Sequence, residues 1–431
     1  MKGAYQRGIF NGNILVAKNG QLIYQNSLGY ADGNKSLPLT ADMKFDIGSI
    51  SKEFNGVAIM LLRQRGMLFL DDNLSKYFPE FGSWAHRVQV KHLINYTSGI
   101  PVLGGGANDS DSLIYKHLLE LKTLTAQPGS IYIYNNINVY LQRRIIEKVS
   151  SLSYSDFITK NLLIPAGMTR SAVDYPVNAK GMARAFDSEG RDVSYEQKMT
   201  GWVRLPIGDF YKWTKALHSG QLISLNALRE LGQNFPGGES SLGSAEFKGD
   251  TLIWHQHQGS NSNYEAAIYS YLPEDITIVL MTNHQEMKVL ALKSAIMNIL
   301  QNKPFTIPKK SLYLSIRDKM LFNTDDGIRY YQMLKANGQE LYDFGSEAGD
   351  LISAAKYLQR RSKLDGAVKV LQIAVKLKAR PQDISYGYEL IGDCYRFKGD
   401  KKEALKNYKS ALNVFPGNTN AQGMINQLTI E

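Results

Sequence analysis

The chain has 431 residues, 43% of them hydrophobic, 10% aromatic and 21% charged, a globular composition for two or three domains that excludes a disordered chain, a fibrous repeat and a small disulfide-stapled module. Its one cysteine, Cys394, cannot form an intrachain disulfide and reads as a small buried residue. The net charge of +10 invites a nucleic-acid reading, but residues 305–431 hold 20 Lys and Arg against 14 Asp and Glu, and lysines such as Lys401, Lys402, Lys406 and Lys409 are interleaved with acids in the manner of solvated helix faces, so no nucleic-acid partner is expected.

The start, Met1-Lys2-Gly3-Ala4, lacks the apolar stretch and cleavage site of a signal peptide. Alternating residues 13–17 and 21–24, joined through Asn19-Gly20, predict a β-hairpin. Helical apolar periods follow over 54–65, 140–149 and 210–217, separated by Gly/Ser/Pro-rich loops. A second hairpin is predicted from 266–271 and 276–281 around Leu272-Pro273-Glu274-Asp275. The latter run is strand-length, and no apolar run approaches the ~20 residues of a membrane span. Strands at both ends with helices between predict an α/β domain over 1–304 whose sheet segments meet in space. Pro304, Pro308 and the basic cluster near them mark a linker over 305–320, and 321–431 is expected to be all-helical. Within it Tyr388, Ile391, Gly392, Tyr395, Ala404, Tyr408, Ala411 and Pro416 stand at the spacings of a tetratricopeptide helix pair, preceded by a weaker copy at Ala355, Leu358, Ala367, Leu371 and Ala374. Two copies are fewer than a free-standing array needs, so a capping helix near 327–334 or packing on the front domain is expected.

Three motifs carry chemistry. Ser49-Ile50-Ser51-Lys52 precedes a helical run, so Ser49 and Lys52, three apart, share one face near a helix N-terminus. The positive potential there disfavours the ammonium and favours an alkoxide, which suits a serine nucleophile with an amine neighbour. Alone the match is weak, since Ser353 and Lys356 repeat the spacing in the tail. Tyr134-Asn135-Asn136 offers a phenol and an amide from one loop, and His257-Gln258-Gly259-Ser260, on an edge-like strand, lets a substrate carbonyl approach backbone N–H groups. A zinc hydrolase through His255 and His257 lacks a third ligand, with Gly259 where an aspartate would follow and no H-E-x-x-H in the chain. Gly238-Glu239-Ser240-Ser241-Leu242 misses the G-x-S-x-G of an α/β-hydrolase at its last position.

In this order the three motifs resemble S-x-x-K, Y-x-N and K-T-G or H-x-G of the penicillin-binding, DD-peptidase and class C β-lactamase family of serine hydrolases. Leu93-Ile94-Asn95-Tyr96-Thr97-Ser98-Gly99-Ile100-Pro101 is similar to the family's L-L-x-H-T-S-G-L-P segment, and Pro165-Ala166-Gly167-Met168 to its P-L-G-M. The resemblance, over about residues 10–300, implies that fold and an acyl-enzyme mechanism without a cofactor. Ser49 would attack an ester or amide carbonyl, and Lys52 and Tyr134 would share the proton transfers, with the general base left open between them. The N–H groups of Ser49 and Ser260 would hold the oxyanion, Asn136 would orient the substrate and hold Lys52, and His257 and Gly259 would line the substrate site. His257 replaces the lysine of penicillin-recognising members, and a histidine is no fixed cation near pH 7. That favours a small ester or a D-amino-acid peptide over a β-lactam, while no glutamate matches the deacylating residue of class A enzymes. The resemblance implies a periplasmic or extracellular setting, with the cytoplasm remaining open. The alternative function is a catalytically silent module whose tail recruits a protein or peptide partner.

Overall fold

The computed structural model describes residues 1–102, 109–193 and 198–430. Among the described residues nine strands form in the front region: β1 (Gly12–Lys18), β2 (Gln21–Leu28), β3 (Phe45–Asp46), β4 (Ala172–Val173), β5 (Val203–Leu205), β6 (Ser244–Lys248), β7 (Thr251–Asn261), β8 (Tyr264–Tyr271) and β9 (Ile276–Thr282). Asn19 and Gly20 both take left-handed angles, φ 52° and 72°. A two-residue turn matched to the twist of its strands demands that, and β1 pairs with β2 directly across it. The second expected hairpin, β8 with β9, turns through Pro273 and a left-handed Asp275 at φ 42°.

The two hairpins meet as expected. β1 pairs antiparallel with β9, and the six-stranded sheet runs β2-β1-β9-β8-β7-β6. Every residue of β9 is buried, and the helices Ile207–His218 and Val289–Leu300 pack on the central strands, whereas β2 is exposed at one edge. β7 is not an edge strand: β6 pairs with it and takes the edge. The sequence of β6, Ser-Ala-Glu-Phe-Lys, is too polar to announce a strand, and its residues are only partly covered. The front domain therefore has the antiparallel sheet flanked by helices of the β-lactamase/DD-peptidase fold.

The helix Ser51–Gln64 is unusual in being buried on nearly all sides, its polar residues Lys52, Glu53 and Asn55 included. An amphipathic helix keeps such residues toward water; here Phe54 stacks on Trp213 with centroids 3.9 Å apart, and the helix Asn136–Ser150 covers another face.

The chain divides into two compact units, Met1–Tyr5 with Phe10–Thr306, and Gln6–Ile9 with Ile307–Glu431. In the second, helices pack in consecutive pairs: Leu312–Phe322 with Thr324–Asn337, Glu347–Gln359 with Leu364–Ala374, and Pro381–Phe397 with Lys401–Val414, followed by Thr419–Ile430. Gly392 is required by a close approach, since a Cβ there would lie 2.7 Å from the Tyr408 ring. Cys394 is fully buried, which pushes its thiol up to about 11. The expected linker over 305–320 is helical from Leu312 onward. Leu312, Ile316 and Met320 recur every four residues and are wholly buried, a period masked in the sequence by the prolines just before it.

Candidate active site

Ser49 sits in a single 3₁₀ turn, Gly48–Ile50, immediately before the buried helix, rather than inside the helix's first turn. Two long-range anchors fix that turn. The Asp46 carboxylate accepts from Gly48 N at 2.8 Å and forms a buried ion pair with Arg204 of β5 at 3.0 Å, and Ser51 Oγ accepts from Val203 N at 3.0 Å. Gly48 has φ 54°, and a Cβ there would lie 2.5 Å from Ser260 N. Reciprocally, a Cβ on Gly259 would lie 2.0 Å from Ile47 O and 2.8 Å from Ser49 N. Two glycines thus allow β7 and the nucleophile turn to touch backbone to backbone, with Ser49 half-buried and Ser260 exposed beside it.

Lys52 and Tyr134 converge on the nucleophile. Lys52 Nζ donates to Ser49 Oγ at 3.0 Å, and the Tyr134 hydroxyl donates to the same oxygen at 2.7 Å. Lys52 is 2% exposed, its Nζ 5.1 Å from the Tyr134 ring centroid and 5.3 Å from that of Trp202. Tyr134 is 37% exposed, so the oxygen is enclosed from the lysine side and open from the tyrosine side. The tyrosine is backed by Tyr96, itself buried, with ring centroids 5.0 Å apart. Asn135, which the sequence reading passed over, caps the helix Asn136–Ser150 by accepting from Ile137 N and donates to Ile100 O and Pro101 O at 3.0 and 2.9 Å, tying the tyrosine loop to the 93–101 segment.

Two expected roles take another form. Asn136 has no hydrogen bond to Lys52; its Oδ1 is buried without a partner. His257 is 3% exposed and is turned from an open substrate contact toward Glu53: its Nδ1 lies 2.9 Å from Glu53 Oε1. The same oxygen lies 3.2 Å from His255 Nε2, while Trp213 Nε1 donates to Oε2 at 2.7 Å. His255 Nε2 also reaches Leu242 O at 2.9 Å, and its Nδ1 lies 3.0 Å from Nε2 of His218. Burial by itself would raise the Glu53 carboxyl, but the adjacent His255 and the bonds from both histidines hold it at about 2. Burial likewise opposes the charge on His255, which Glu53 nevertheless raises, and burial pushes His218 down to about 3. In sequence, Glu53 is simply an acid in a helix's first turn, and nothing local announces this network. Among the described residues no group of three or more His, Cys, Asp or Glu side chains is arranged to hold a metal ion, and no helix is long and apolar enough to cross a membrane.

Known proteins resemble this chain in sequence and in fold. The Beta-lactamase family model matches residues 2–300. Penicillin-binding protein 4* of Bacillus subtilis is 26% identical over 342 residues, covering 70% of this chain and 74% of that protein. Among solved structures, the octameric penicillin-binding protein homologue from Pyrococcus abyssi superposes with a TM-score of 0.59 at 25% identity, covering 74% of this chain and 79% of its own. The D-amino acid amidase from Ochrobactrum anthropi SV3 has the same fold, with a TM-score of 0.55 at 21% identity, over 65% of this chain and 88% of its own. A family model spanning more than half the chain, over the sheet, the Ser49 turn and the Tyr134 loop that meet here, establishes that the chain belongs to the Beta-lactamase family.

Proposed function

We propose that the protein is a serine hydrolase that transfers an acyl group to Ser49 and then to water, with a small ester or a D-amino-acid-containing peptide as its substrate in preference to a β-lactam. The carrying observation is the placement of two proton-handling groups, Lys52 Nζ and the Tyr134 hydroxyl, at 3.0 and 2.7 Å from one serine oxygen. As Ser49 Oγ forms its bond to the carbonyl carbon, its proton passes to whichever of Lys52 and Tyr134 has shed its own. The carbonyl oxygen gathers charge between the N–H groups of Ser49 and Ser260, the carbon–leaving-group bond breaks, and the leaving group takes the proton. Water then attacks the acyl ester by the same steps in reverse order and frees Ser49. Asn136 holds the substrate amide through its unpartnered oxygen. The substrate preference rests on the third motif, where His257, bound to Glu53, supplies no lysine ammonium for a substrate carboxylate. The setting that suits this chemistry is the periplasm or the cell exterior.

Intact mass spectrometry after incubation with a fluorophosphonate and, separately, with a penicillin tests the reading. The expected result is a phosphonate adduct that is absent from Ser49→Ala, with little or no penicillin adduct. Adducts with both reagents would overturn the substrate preference. Labelling with neither would overturn catalysis and favour a silent module that recruits partners through its helical unit.

A further inference from the structure

Glu53 has no role in the mechanism just described, yet its carboxylate is fully buried and fully engaged. It follows Lys52 directly, is fully buried, and gathers three donors from β7 and from the helix Ile207–His218. An ionised carboxylate can only accept hydrogen bonds, so the nitrogens facing it must carry the protons. His257 then carries one on Nδ1. His255 carries one on Nε2, where both neighbours, Glu53 Oε1 and Leu242 O, are acceptors.

We infer that Glu53 is a positioning residue that locks His257 in the Nδ1–H tautomer, leaving its buried Nε2 bare, so that the third motif carries a neutral ring where a cation would otherwise stand. Three observations support this. His257 Nε2 is buried and has no hydrogen-bond partner, and an N–H⁺ left there would be a buried unpaired donor, much the costlier state. The single negative charge of Glu53 is already matched by His255, whose Nδ1 can pass a hydrogen bond on to a neutral His218. The backbone of Gly243 approaches the ring closely, since a Cβ there would lie 2.6 Å from His257 Cγ, and β7 is paired on both sides, with β6 and β8. The consequence deepens the proposed substrate class and rests on it: the third motif offers no cation, so carboxylate-bearing acyl donors meet no counter-charge from it.

The deciding experiment reads the tautomer without requiring turnover. Long-range ¹H–¹⁵N correlation spectra of the full chain with ¹⁵N-labelled histidine, assigned through loss of one ring in His257→Asn, are expected to show a protonated Nδ1 and a bare Nε2 for His257 at pH 7. A proton on Nε2, or on both nitrogens, overturns the inference. Glu53→Gln should let the amide donate to Nδ1 and move the proton to Nε2, with kcat/KM for a p-nitrophenyl ester falling about 10- to 100-fold and Glu53→Asp recovering part of the loss. Unchanged spectra and rates in a folded Glu53→Gln protein would also overturn it. Where that variant does not fold, the wild-type spectrum decides alone. A chain with the stated tautomer but no fluorophosphonate adduct would leave this inference standing and sink the hydrolase reading.

Discussion

Glu53 and His255 form one buried pair, and their shifts, with that of His218, set how stability should vary with pH. Glu53 is held at about 2 against an ordinary 4.5, so its contribution is present above pH 4.5 and is lost as pH falls toward 2. His218 is pushed down to about 3 from 6.5, so the unfolded chain binds the extra proton below 6.5 and stability falls with acid from there. His255 is raised above 6.5, so its contribution is complete below 6.5 and is lost as pH rises through its folded value. The three together predict a maximum of this cluster's contribution near pH 6.5. Thermal unfolding followed from pH 4 to 9 should show the alkaline decline in the wild type and lose it in Glu53→Gln; an alkaline limb that survives the substitution would contradict the assignment. None of this was legible in the sequence. Ser49 with Lys52, and separately Tyr134 with Asn136, were, because each pair is a local spacing, whereas the burial of Glu53 depends on β7 and on Trp213, 160 residues away in the chain.

At the scale of elements, the catalytic geometry is a contact between a strand and a turn. β7 lies against Ile47, Ser49 and Ile50 with no side chain between, and this is possible only because position 259 is glycine. Gly259→Ala would put a methyl group 2.0 Å from Ile47 O, forcing the strand away from the turn and carrying the Ser260 N–H out of the oxyanion position proposed for it. Loss of one oxyanion donor lowers kcat by about 100- to 1,000-fold, so the variant should show a loss of that order with an unchanged far-ultraviolet circular dichroism spectrum. Near-wild-type turnover would show that Ser260 is not a donor. The hairpins were readable because Asn19-Gly20 and Leu272-Pro273-Glu274-Asp275 encode their turns locally. The edge strand β6 and the helix Leu312–Phe322 were not: one lacks an apolar alternation, and the other has its period interrupted at its start by prolines.

At the scale of the whole molecule, each unit has its own core. The residues from Leu15 to Met281 that form the core of the front unit include none from the helical tail, and the tail's buried residues from Leu312 onward form clusters of their own. Every residue proposed for acyl transfer lies in the front unit, as does every anchor of the Ser49 turn: Asp46, Arg204, Val203 and the backbone of β7. The sequence changes period, from alternation and helix mixed together to helix alone, and the second compact unit begins at Ile307 after that change. A chain ended at Thr306 is therefore expected to label with fluorophosphonate at a rate within about twofold of the full chain, since none of the side chains that anchor the Ser49 turn is removed. The rate of adduct formation for the two lengths, compared at equal concentrations of folded protein, makes the check. A much slower truncated chain would mean that the helical unit shapes the nucleophile's surroundings, and the helix pairs would then belong to catalysis rather than to a separate recognition surface.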